Sequence, residues 1–174
     1  MAMTAGMRRA ALAVHVVTSV RWIGAAVGYL VLAIVGATSE DATTVRAAWI
    51  AMSLTGWMAI VPLACLAFVT GLVMALGTRW GLIRHYWVLA AFLLTTLALV
   101  ALLAHMPGVS RAAEVARDGN DAAVMALRVD VAHPVLGIIV LVVVAVLNMY
   151  KPRGVTGYGH PSQALTPDEE TTAP

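Results

Sequence analysis

AALAVHVVTSVRWIGAAVGYLVLAIVG, from Ala10 to Gly36, decides the fold class. It contains one charged side chain, Arg21. About 20 consecutive apolar residues suffice to cross a bilayer as a helix, and this run exceeds that length. Three further runs of the same kind follow, at Ala47–Leu76, Trp80–Met106 and Val131–Tyr150. Lipid supplies no partners for bare backbone groups, so all four are expected to be helices. None shows the alternating pattern that a membrane barrel would require.

Composition supports this reading. Of the 174 residues, 61% are hydrophobic and 11% charged, against about 25% charged in a typical soluble domain. Too few charges remain to cover a water-facing surface, which argues against a soluble enzyme, a nucleic-acid-binding domain or a disordered chain. One cysteine excludes a disulfide scaffold and a multi-thiolate zinc site. Phosphate-binding glycine loops, HExxH and a nucleophile elbow are all absent from the sequence, which lowers the expectation of a hydrolase.

The expected architecture is all-α: an integral membrane, four-helix antiparallel bundle occupying residues 1–150, followed by a disordered tail over 151–174 that is rich in Gly, Pro, Thr and acids. Arg8 and Arg9 precede the first run, which is too long for a signal peptide and reads as a retained anchor. Arg79 and Arg84 flank the second turn, and Lys151 and Arg153 follow the fourth run. Basic flanks mark the cytoplasmic side, so both termini are expected in the cytoplasm and the protein in the cell (plasma) membrane. The net charge of +2 is then a topology signal, and no nucleic-acid partner is expected.

Between the third and fourth runs, helical periodicity comes in two pieces broken at Gly119 and Asn120. Asp121 is the expected cap of the second piece, which is read as continuing into the fourth helix. Pro62 and Pro134 are expected to bend their helices. Gly24 and Gly28 form a small-xxx-small pair. The favoured reading is packing within the bundle, with a homodimer as the alternative. Gly56 and Gly71 offer further close approaches.

Polar groups in apolar spans carry the functional expectation. His15 and His85 fall in one half of the bilayer, and His105 and His133 in the other. Each pair supplies two imidazoles, the ligand set of a b-type haem, which suggests a di-haem electron-transfer path with a redox partner. His85 and His105 are about 30 Å apart along an ideal helix and about 200° apart around it, so they aim at different neighbours. His15, Thr18, Ser19, Trp22 and Tyr29 form one stripe expected to face inward. Arg21 beside it has no acidic residue at its depth, so it either meets an acidic ligand group such as a haem propionate or snorkels. The competing reading is copper or zinc at His105, Met106, Asp130 and His133, with Asp130 either a ligand or an orienting group for His133. A third reading is a non-catalytic subunit of a membrane complex.

AVHVVTSVRWIGA (Ala13–Ala25), WGLIRHYWVL (Trp80–Leu89), LLAHM (Leu102–Met106) and NMYKPRGVTGYG (Asn148–Gly159) resemble a family of small four-helix membrane proteins common in actinobacteria. The resemblance implies histidines equivalent to His15, His85, His105 and His133. Arg21 departs from its pattern, where a small residue precedes the Trp. The first run is also loosely similar to copper-resistance D-type and haem-binding membrane proteins.

Overall fold

A computed structural model describes residues 4–77, 81–152, 154 and 156. The expectations for Arg79, Trp80, Arg153 and most of the tail lie outside the described residues. Among those described there is no strand. The elements are α1 (Ala5–Thr38), α2 (Ala42–Thr55), a π-helical turn (Gly56–Ile60), α3 (Val61–Gly77), α4 (Tyr86–Asp118), α5 (Asp121–Met125) and α6 (Ala132–Tyr150). α2, the π turn and α3 form one continuous segment, so four helical segments are long and apolar enough to cross a membrane.

Local chemistry sets the ends of these helices. The Thr4 hydroxyl accepts from the Met7 N–H at the start of α1. Asp41 caps α2, accepting from the Thr43 and Thr44 N–H groups and from the Thr44 hydroxyl. Within the second run, Val61 N–H reaches back to Gly56 C=O, one residue further than in an α-helix. The widened turn lies immediately before Pro62, whose nitrogen cannot donate, and it absorbs the irregularity there.

α4 runs farther than the third apolar run predicts. It continues through Pro107 to Asp118. The reason is packing: Val109, Ala113 and Ala116 recur at helical spacing and are all buried. That apolar face outweighs the one backbone bond that proline removes. The break at Gly119 and Asn120 stands where the sequence placed it, but the cap is Asn120, whose side chain accepts from the Ala123 N–H. α5 is a single short helix, and residues 126–131 separate it from α6. Pro134 lies in the first turn of α6, where its missing donor has no intrahelical partner to lose, so no bend is required there.

α1 packs on α2, α3 and α6, and α4 packs on α2, α3 and α6; α1 and α4 are not packed as neighbours. The main core joins Trp22, Tyr29, Trp49, Met52, Ile60, Met106 and Val109. Outside it, long apolar side chains stay exposed along every segment, among them Val20, Leu66, Leu97 and Leu136. Such a continuous apolar exterior suits lipid and not water.

The expected close approaches divide. Gly56 has Met106 against it: a Cβ there would meet the methionine Cε at 2.4 Å. A Cβ on Gly71 would stand 3.1 Å from the His15 ring. Gly24 and Gly28, favoured as contacts inside the bundle, have nothing within 4 Å of an added Cβ, and both are exposed. The favoured reading of that pair is corrected, because the neighbours of α1 pack on its Trp22–Tyr29 face instead.

Arg46 joins α2 to the far end of α4. Its guanidinium donates to Ala116 C=O and, at 3.1 Å, to Gly119 C=O. It also pairs with the exposed Asp121 carboxylate at 3.1 Å. The first two acceptors are terminal carbonyls of α4, which have no intrahelical donors of their own.

Candidate functional site

The stripe read on α1 is the inward face: Thr18, Trp22 and Tyr29 are buried, and His15 and Ser19 are half-buried. His15 Nδ1 lies 3.0 Å from Thr70 Oγ1 on α3. The Thr70 hydroxyl is 2.7 Å from Leu66 C=O and donates to it, so toward His15 it acts as an acceptor. That assigns the imidazole proton to Nδ1. His15 therefore seals the α1–α3 contact over Gly71.

His85 caps α4 and lies near Trp87, with ring centroids 6.5 Å apart. α1 and α4 are not packed as neighbours, and His15 bonds to Thr70 of α3. Arg21 is exposed on α1, beside the inward stripe and not within it.

The second pair does come together. The His105 and His133 rings are stacked, with centroids 4.0 Å apart and planes inclined by 7°. Asp130 joins them, and one ligand atom from each of the three residues lies within 4.8 Å of the others. Each position has a local cause. His105 sits on α4 where that helix faces α6. His133 is the second residue of α6. Asp130 stands just before that helix, and its Oδ1 accepts the Ala132 and His133 N–H groups at 2.9 and 3.2 Å. The capping bonds fix the carboxylate beside the imidazole and leave further lone pairs on its oxygens.

Met106 does not belong to this cluster. It is fully buried and turned toward Gly56, one residue around the helix from His105. The donor set is therefore two imidazoles and a carboxylate, without a thioether. A haem held by two histidines has both donor nitrogens aimed at one iron from opposite faces of the macrocycle. Rings stacked 4.0 Å apart present their faces to each other and leave no macrocycle-wide gap.

Below the cluster, a cavity of about 230 Å³ opens between α1, the π turn, α4 and α6. His105 and His133 stand among its walls, with Trp22, Tyr29, Ala101 and Gly137. Sequence reasoning found the four imidazoles and the stripe on α1. It did not find that Tyr29 shares the cavity with His105, because that contact joins residues far apart in the chain.

Fold, composition and apolar exterior define a multi-pass membrane protein of four candidate spans. No family model, no curated protein and no solved structure matches the chain.

Proposed function

We propose that this membrane protein binds a divalent transition-metal ion through His105, Asp130 and His133. The observation that carries the proposal is the convergence of three ligand atoms within 4.8 Å. Two imidazoles and one carboxylate form a donor set for zinc or copper(II), with room for a water or substrate in a fourth position. Copper(I) is disfavoured because Met106, the nearby thioether, points into the core. As stacked, the two imidazoles hold their lone pairs in parallel planes, so ligation of either an ion or a haem requires the rings to turn; a single ion requires the smaller turn, because no macrocycle-wide gap has to open.

The proposed setting is an antiparallel bundle in the plasma membrane with both termini cytoplasmic. Arg8, Arg9, Arg84 and Lys151 support it as basic flanks. The metal site then lies at the outer edge of the spans, accessible to ions from outside.

The test is direct titration of detergent-purified protein with zinc and with copper(II). One ion per chain is expected, lost in His105→Ala and His133→Ala and retained in His15→Ala. Equal binding by wild type and His133→Ala would overturn the proposal. An absorption spectrum of the same preparation distinguishes haem, and a Soret band that disappears in His105→Ala would replace the metal-ion reading.

A further inference from the structure

We infer that the cavity beneath the histidines is a binding site for a neutral, ring-headed lipid, a prenylated quinone. The inference is stated for the metal-free protein, and its anchors are Trp22 and Tyr29.

Both residues are nearly sealed, 5% and 6% exposed, and both line the cavity. Among the described residues, neither the Trp22 indole N–H nor the Tyr29 hydroxyl has a hydrogen-bond partner. Unlike Trp49 Nε1, their polar atoms keep some access, and both side chains line the cavity. Buried indole and phenol donors are normally satisfied, and leaving one unpaired in an apolar region costs about 1–3 kcal/mol. Two such donors on one face of α1, at one cavity, call for a ligand that carries acceptors.

The walls restrict that ligand. A volume of about 230 Å³ is below the roughly 300–1,000 Å³ that encloses a drug-sized molecule. It suits a ring and the first part of a chain, with the rest lying in the bilayer. The rim is suited to this, because Leu97 and Leu136 border the cavity and remain 65% and 62% exposed. Ala98, Ala101 and Gly137 supply small surfaces against which a flat ring packs.

Charge selects the head group. His105 and His133 stand in the walls, with Asp130 in ligand distance of both, and neither lysine nor arginine is among those walls. In the metal-free protein a phospholipid phosphate would meet a carboxylate there with no lysine or arginine in the walls to offset it, so binding is tested on metal-free protein. A quinone is neutral, and its carbonyl oxygens accept from the Tyr29 hydroxyl or an imidazole N–H at one end, and from the Trp22 N–H about two helical turns away along α1.

The test uses metal-free, delipidated protein in detergent and a short-tailed benzoquinone, with quinone retained per chain read after gel filtration. One molecule per chain is expected. Tyr29→Phe removes the hydroxyl alone and should weaken retention by about tenfold. Ala101→Phe fills the cavity from an exposed position and should abolish retention, while Val142→Phe, on an outward position of α6, should not change it. Circular dichroism confirms that each variant is folded. Retention that is unchanged in both Tyr29→Phe and Ala101→Phe would overturn the inference. Displacement by phosphatidylglycerol at the concentrations at which quinone binds would also overturn it, showing a general acyl-chain groove.

Discussion

His105 of α4 and His133 of α6 lie face to face, with ring centroids 4.0 Å apart and planes almost parallel. Twenty-eight positions of sequence separate them. Their contact places Asp130, the residue that caps α6, beside both rings. A helix start has thereby become a cluster of three donors.

Metal retention by this cluster should fall as the solution is acidified, because each imidazole must be neutral to coordinate. Equilibrium dialysis of zinc across a pH series checks this. In Asp130→Asn, which keeps the capping oxygen and loses the charge, the fall should begin from an affinity about 10–100-fold weaker. An affinity independent of pH would contradict ligation by histidine.

Gly56 and Met106 should be energetically coupled. The methionine occupies the place of the missing Cβ, so Gly56→Ala should destabilise the protein by about 1–3 kcal/mol through overpacking. In a Met106→Ala background the same change should cost little, since the obstructing side chain is gone. A double-mutant cycle of unfolding in detergent measures the difference. Additive costs would show that the two side chains do not compete for space.

Arg46 should hold the end of α4. Arg46→Ala leaves the Ala116 and Gly119 carbonyls without their donor, at a cost of about 1–3 kcal/mol. Lysine should restore only part of this, because one ammonium cannot reproduce the guanidinium fork. Asp121 contributes little, since its side chain is 81% exposed. Faster amide exchange near Gly119 in Arg46→Ala is the expected signal.

The start of α2 should loosen in acid. Hydrogen bonds from the Thr44 hydroxyl and the Thr44 and Thr43 N–H groups hold the Asp41 carboxyl below its ordinary value. A depressed carboxyl stabilises the folded state above the unfolded-state pKa, and the contribution is lost as pH falls through the folded value. The protection of the Thr43 and Thr44 amides, measured relative to their intrinsic exchange rates at each pH, should therefore fall at acid pH. In Asp41→Asn, which still caps, that pH dependence should vanish.

Gly24→Leu and Gly28→Leu should leave the fold intact, within about 0.5 kcal/mol, because no atom lies within 4 Å of the added Cβ. Thermal unfolding in detergent checks this. A large loss of stability would restore the packing role that the small-xxx-small spacing suggested.

Much of the architecture was legible in the sequence, but at uneven depth. The four apolar runs were visible because lipid demands length and few charges, and both are properties of a continuous stretch. The inward stripe from His15 to Tyr29 was visible for a similar reason, as helical periodicity converts spacing into a face. The extension of α4 through Pro107 was not, because proline is a local signal and the buried face beyond it acts through α2. The contact of Met106 with Gly56 and the open surroundings of Gly24 were not legible on the same ground: spacing shows what a residue can meet, not which neighbour arrives.

The sequence by itself determined the compartment, the number of spans and the residues able to coordinate or hydrogen-bond within them. Tertiary structure alone decided which of those residues meet. It turned His15 to Thr70, left the helices of His15 and His85 unpacked against each other, and stacked His105 on His133 above a cavity walled by Trp22 and Tyr29. The physical reason is that hydropathy and periodicity are summed along one helix, whereas a site is made by side chains of several helices, and its geometry is set by how those helices pack.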